Sequence, residues 1–149
     1  MTDNSPYLRR AQYYETDQMG IIHHSNYIRW FEETRLDFLA KNQISYQKIE
    51  ELGIIIPVLA VDCQYKEMVH FDDQVLIYST VETYTGTRLE ITYEIKDASG
   101  KLYTTGASQH CFLSKETGRL ISLKKSFPEV HHQFEALKNQ TKECLDGDN

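Results

Sequence analysis

A carboxylate, a glycine and two histidines stand close together near the N-terminus, in the run YYETDQMGIIHHSNYIRWFEETR from Tyr13 to Arg35. Asp17 falls in the turn sequence Asp17-Gln18-Met19-Gly20, and a helix start follows at His23, His24, Ser25 and Asn26. The first backbone N–H groups of a helix have no intrahelical acceptor, and the macrodipole adds partial positive charge there. A carbonyl oxygen set against them is polarised, and an oxyanion forming on it is stabilised. Asp17 then has two possible uses, as a nucleophile or as a general base on water. Gly20 lets the backbone turn tightly and approach a ligand. The combination suits acyl transfer, while an Asp ahead of a helix also serves plain turn chemistry. His23 and His24 make a poor metal pair, because adjacent residues do not readily face one ion and no H-E-x-x-H follows. His110, His131 and His132 do not complete such a site, so no metal and no cofactor are expected.

These residues need elements to hold them. Tyr7 to Tyr14 has strand-like composition, and Ser25 offers an N-cap for a helix from Asn26 to about Lys41. Tyr27, Phe31, Thr34 and Phe38 recur at helical spacing, with Ile28, Arg35 and Leu39 beside them, so that stripe must be buried. Tyr27, Trp30, Phe31 and Phe38 are expected in the core, with Tyr27 also bordering the pocket, and Glu32 and Arg35 are expected to pair along the helix. A short helix follows from its cap at Ser45 to Leu52. From Ile54 the period changes to two. Strands are expected over Ile54 to Tyr65, around Val75 to Val81, over Leu89 to Ile95, and over Leu102 to Ser114 with a continuation at Leu120 to Leu123. Thr85-Gly86, Asp97-Ala98-Ser99-Gly100 and Lys115-Glu116-Thr117-Gly118 separate them as turns. A last helix is expected over Pro128 to Leu137, followed by a fraying polar tail. One strand, a long buried helix and a strand meander predict an α+β fold, an antiparallel sheet with helices on one face. Its open face and edges call for a second copy.

The chain has 149 residues, the length of one domain, and carries a net charge of −6. That balance removes the basic field that nucleic-acid binding requires, so an anionic ligand depends on a local cluster of Lys and Arg. Lys66, Arg88, Lys115, Arg119, Lys124 and Lys125 are the candidates. The three cysteines, Cys63, Cys111 and Cys144, are far apart and form no C-x-x-C, which points to reduced thiols in the cytoplasm. No leader-like or membrane-spanning apolar run occurs, so neither secretion nor membrane insertion is expected.

The pattern Y-x-x-T-D-x-x-G-x-x-x-H-x-N-Y followed by F-E-x-x-R resembles the 4-hydroxybenzoyl-CoA thioesterase family, within it the YbgC-like acyl-CoA thioesterases. Here it reads Tyr13, Thr16, Asp17, Gly20, His24, Asn26, Tyr27, Phe31, Glu32 and Arg35. The resemblance implies a hot-dog fold, a sheet wrapped around the long helix, and subunits that pair edge to edge into one continuous sheet. It implies a homodimer, with a homotetramer as dimer of dimers the larger assembly expected, and an active site at the subunit interface. It makes Asp17 the catalytic carboxylate, with His24 and Tyr13 assisting and the His24 N–H holding the thioester carbonyl. Gly20, His23, Asn26, Tyr27, Lys66 and Arg88 are the expected substrate-binding residues, and Gln64 to His70 the expected wall from the partner subunit. Coenzyme A enters as part of an acyl-CoA substrate. Two departures bear on the acyl pocket: His23 stands where relatives often have Tyr, and Glu15 precedes Thr16 where many have Asp. Alternatives to acyl-CoA hydrolysis are a thioesterase for acyl carrier protein, which calls for a basic docking patch, and a non-catalytic acyl-CoA-binding module. A hydratase would want a paired His and Asp on the helix face, which this helix lacks.

Overall fold

The computed structural model describes the backbone of residues 2–147 and the side chains of residues 2–138. Its centre is a five-stranded antiparallel sheet in the order β1-β4-β5-β6-β3. The strands are β1 (Tyr7–Arg10), β3 (Val58–Tyr65), β4 (Gln74–Tyr84), β5 (Arg88–Lys96) and β6 (Leu102–Cys111). A separate pair joins β2 (Ile54–Ile55) to β7 (Leu113–Ser114). Period-two sequence decides which face is buried. Leu89, Ile91, Tyr93 and Ile95 of β5 are buried while Glu90, Thr92 and Glu94 between them are not. Their cross-strand partners Val81, Ile77 and Tyr84 on β4 are buried with them.

Helix α1 (Ser25–Lys41) lies on that face and buries Tyr27, Trp30, Phe31, Thr34, Phe38 and Leu39, the expected stripe. The Phe31 ring stacks on Tyr93 with centroids 4.5 Å apart, and burying one such side chain contributes about 1.5–3 kcal/mol. Helix α2 (Tyr46–Glu51) begins where Ser45 accepts the Lys48 N–H at 3.1 Å, as its sequence foretells. Helix α4 (Pro128–Gly147) closes the core by packing Phe134 against Tyr84 and Phe112. A sheet wrapped over one long helix is the hot-dog fold.

Several element boundaries differ from the sequence expectation. β1 stops at Arg10, and Tyr13–Glu15 instead form a 3₁₀ turn, closed where the Glu15 carboxylate accepts the Gln12 N–H at 2.9 Å. Pro57, which has no N–H for a ladder, separates β2 from β3 where one strand was expected. Leu120 makes only an isolated bridge to Leu113, and Leu123 opens the short helix α3 (Leu123–Ser126) rather than ending a strand. Helix α4 continues to Gly147 through the expected tail, since no proline or glycine interrupts residues 129–146. Cys63 and Cys111 are free thiols, and the side chain of Cys144 lies outside the described residues.

Candidate active site

The strongest local device is the loop between the 3₁₀ turn and α1. Thr16 bridges to Ile22 in antiparallel fashion, with Asp17 N–H donating to Ile21 O at 2.8 Å and His23 N–H to Glu15 O at 2.8 Å. The tip of this small hairpin needs a left-handed residue, and Gly20 supplies it at φ +79°. Asp17 Oδ1 turns back to accept the Met19 N–H at 2.8 Å and the Ile21 N–H at 3.4 Å. Its other oxygen, Oδ2, has no protein partner among the described residues and is free for a ligand.

The helix start differs from the expected one. Ser25 is the first residue of α1, not its cap, and His24 occupies the cap position without a capping side chain. The capping acceptor is His23, whose Nδ1 takes the Ser25 N–H at 3.2 Å and lies 2.9 Å from the Ser25 hydroxyl. The His23 and His24 rings stack at 4.1 Å. With the His23 N–H spent on Glu15 and the Ser25 N–H on His23, the His24 N–H is left without a partner among the described residues. The His24 carbonyl is fixed from behind, accepting the Tyr65 hydroxyl at 3.2 Å. Burial and a contact with Cys63 push the Tyr65 hydroxyl up to about 12, so it remains a donor at neutral pH.

A cleft of about 610 Å³ opens beside this loop. Asp17, His24, Tyr27, Tyr65, Lys66 and Lys101 are among its lining residues. Four sequence candidates, Asp17, His24, Tyr27 and Lys66, therefore meet in one place. The others take different positions. Gly20 shapes the turn; Asn26 is buried and donates its amide to Glu15 O at 3.0 Å; Tyr13 is exposed and meets Phe71 edge to face outside the cleft wall. Arg88 lies away from the cleft, beside a separate depression with Thr83, Glu90 and Gln109. The segment expected from a partner subunit is a wall of this chain's own cleft, through Tyr65, Lys66, Glu67, Met68 and His70. It is held there by Ile22 N–H donating to Val69 O at 2.8 Å and by Lys66 N–H donating to Tyr103 O at 2.9 Å. Glu32 and Arg35 do not pair, and Arg35 donates to the Tyr93 hydroxyl at 3.3 Å instead.

Two contributions escaped the sequence. Lys101 reaches the cleft from a turn with no motif around it, lies over the Tyr103 ring and stands 3.8 Å from Glu67. Glu15, which reads only as a departure from the family pattern, is a buried hub. Its carboxylate accepts from both terminal Arg9 guanidinium nitrogens at 3.0 and 2.9 Å, from the Trp30 indole N–H at 2.8 Å and from the Gln12 N–H. Burial works against the Arg9 charge, but hydrogen bonding and attraction from Glu33 and then Glu15 outweigh it and leave its pKa above the ordinary arginine value.

A carboxylate with one free oxygen, a free N–H at a helix start and a lysine-edged cleft form the kind of site that handles a thioester on a hot-dog scaffold. The profile of the thioesterase-like superfamily matches residues 12–137, and the chain belongs to that superfamily. It is 32% identical over 128 residues to YneP of Bacillus subtilis (strain 168), assigned as an acyl-CoA thioesterase, covering 86% of this chain and 93% of that protein. The acyl-CoA thioester hydrolase YbgC of Escherichia coli O157:H7 is 26% identical over 93 residues, covering 62% of this chain and 69% of that protein. The crystal structure of a DHNA-CoA thioesterase from Staphylococcus aureus superposes with a TM-score of 0.87 at 35% identity, covering 93% of each chain.

Proposed function

We propose that this protein hydrolyses an acyl-CoA thioester to a carboxylic acid and free CoA, with Asp17 as the reacting carboxylate. It is a thioester hydrolase of the acyl-CoA type, as its relatives are named. The observation that supports the site is that Asp17, with one unpartnered carboxylate oxygen, and His24, with an unpartnered N–H, both line one cleft. The thioester carbonyl oxygen accepts the His24 N–H, which strengthens as charge develops on that oxygen. In the direct route, water passes its proton to Asp17 Oδ2 and its oxygen bonds to the carbonyl carbon. The tetrahedral intermediate collapses, the carbon–sulfur pair leaves with sulfur, and the proton on Asp17 returns to the thiolate. In the covalent route Oδ2 itself adds to the carbon, CoA leaves, and water opens the resulting anhydride. Lys66 and Lys101 at the cleft suit the phosphates of CoA.

A second copy of the chain completes the assembly in this reading. β3 is an edge strand whose Val58, Leu59, Val61 and Tyr65 are all exposed, and an exposed apolar edge is a template for pairing. The Ile28 and Leu36 side chains of α1 are exposed as well.

The test is thiol release from short-, medium- and long-chain and aromatic acyl-CoAs, with Asp17→Asn alongside. The substitution should lower kcat by about a hundredfold or more while the melting temperature holds, because a carboxamide keeps the turn geometry but neither attacks nor takes a proton. Full turnover by the variant would remove Asp17 from the mechanism. In single-turnover hydrolysis in ¹⁸O-water, label in the Asp17 carboxylate would establish the covalent route with water opening the anhydride at the Asp17 carbonyl, since the direct route places label only in the product acid.

A further inference from the structure

We infer that Glu15 is a positioning residue for the reaction: its buried carboxylate and its main-chain carbonyl together fix the Asp17 loop relative to the free N–H of His24. The inference rests on the reading of Asp17 and His24 as the reacting groups.

Glu15 is two residues before Asp17, and its two halves grip opposite sides of the site. The carboxylate is 3% exposed and joins three parts of the chain: Arg9 from β1, Gln12 at the cap of the 3₁₀ turn and Trp30 from the second turn of α1. All four donors are directed at its two oxygens, so the side chain has one placement that satisfies them. Arg9 is in turn held by Glu33 at 2.9 Å and lies over the Trp30 ring, which ties β1 to α1 through the same node. The carbonyl oxygen of Glu15 accepts two further donors, His23 N–H at 2.8 Å and the Asn26 amide at 3.0 Å.

The consequence for the site is geometric. Capture of the His23 N–H by Glu15 sets the register of the hairpin that carries Asp17 at its turn, through the Thr16–Ile22 bridge. The same capture removes the His23 N–H from competition, which leaves the His24 N–H as the donor beside the cleft. Asn26 and Trp30 hold the start of α1 to the same residue, so neither the carboxylate nor the N–H can shift without stretching a bond to Glu15. An error of about 1 Å between a nucleophile or base and the group that stabilises the developing charge costs roughly a hundredfold in rate. Glu15 touches no substrate; it acts through Asp17 and His24.

The experiment uses the full chain with Glu15→Gln, which keeps the shape and removes the charge and one acceptor, and Trp30→Phe, which removes a single donor to the same carboxylate. Two readouts are taken: kcat and KM on the fastest acyl-CoA, and the affinities of acetonyl-CoA, whose ketone meets the His24 N–H, and of propyl-CoA, which lacks that oxygen. For Glu15→Gln we expect kcat to fall by about tenfold or more, with KM rising by no more than the factor by which the affinity for the ketone falls. Wild type should bind the ketone about tenfold more tightly than the thioether, and Glu15→Gln should erase most of that preference. Trp30→Phe should shift both readouts in the same sense by a smaller factor. A kcat within about twofold of wild type in both variants, or an unchanged ketone preference, overturns the inference. If Glu15→Gln does not fold, Trp30→Phe decides by the same criteria. Absence of thiol release by wild type from every CoA ester would sink the hydrolase reading alone. The ketone preference and its loss in the variants would still decide the role of Glu15, and a wild type without that preference would count against it.

Discussion

Gly106 on β6 lies directly against the Phe31 ring of α1. A Cβ built there would lie 2.4 Å from Phe31 Cε2 and 2.8 Å from the backbone carbonyl of Asp62. The ring could turn aside only by losing its stack on Tyr93, and the carbonyl belongs to the neighbouring strand. Gly106→Ala should therefore fall at the upper end of the cost of overpacking, about 3 kcal/mol, and lower the melting temperature by roughly 6–12 °C for a chain of this size. A thermal melt monitored by circular dichroism checks this, and an unchanged midpoint would mean that α1 sits further from β6 than the glycine implies. Asp17 and Glu15 show the complementary case at the same scale. One carboxylate keeps an oxygen free for chemistry, and the other, two positions away, is fully occupied by donors.

At the scale of elements, β5 and β6 are joined to α1 by a buried polar chain beneath the Phe31–Tyr93 stack. His110 Nδ1 is 3.1 Å from the Pro57 carbonyl, which can only accept, so that nitrogen carries the proton and Nε2 accepts the Ser108 hydroxyl at 2.8 Å. The Ser108 oxygen then accepts the Tyr93 hydroxyl at 2.7 Å, and Tyr93 accepts from Arg35. Every donor in the chain has one direction, and this holds only while His110 is neutral. Burial, and then the charge of Arg35, bring its pKa down to about 4 from the ordinary 6.5. Between those values the unfolded chain binds a proton that the folded chain refuses, so stability is complete above about pH 6.5 and declines as pH falls toward about 4. From pH 7 to pH 5 the loss assignable to this group is about 2 kcal/mol. Urea unfolding of wild type and His110→Gln at the two pH values measures it, and parallel losses in the two proteins would show that His110 does not titrate in this window.

For the whole molecule, the exposed apolar edge of β3 is the seam along which the proposed dimer would pair. Pairing two copies along this edge would continue the sheet and bring the exposed Ile28 and Leu36 of each α1 toward the partner. Val61→Lys places a charge in that seam, and light scattering should show a shift from twice 17.4 kDa to the single-chain mass. Thiol release should fall by about tenfold or more if the partner completes the site, with the far-ultraviolet spectrum retained. Wild type that is active and monomeric in solution would rule the assembly out. Among the described residues no helix is long and apolar enough to cross a membrane.

Sequence alone determined the strand meander, the buried stripe of α1 from Tyr27 to Phe38, and the turn that carries Asp17 ahead of that helix. These are readable because they rest on local properties: period two or 3.6, turn chemistry, and motif spacing within about a dozen residues. Local signals also misled where two of them overlapped. Ser25 looks like a cap, yet His23 accepts its N–H, and Leu120 to Leu123 has strand composition but Leu123 serves the core from a helix. Tertiary structure decided what no local property encodes. Lys101, Tyr65 and His70 converge on the cleft from separate turns and strands, and Arg88 is carried away from it. Glu15 meets Arg9 and Trp30 only because β1 and α1 cross at that point. A periodic pattern states that a face is buried; which distant residue covers it is fixed only when the chain closes on itself, because burying those polar groups demands partners from wherever the fold brings them.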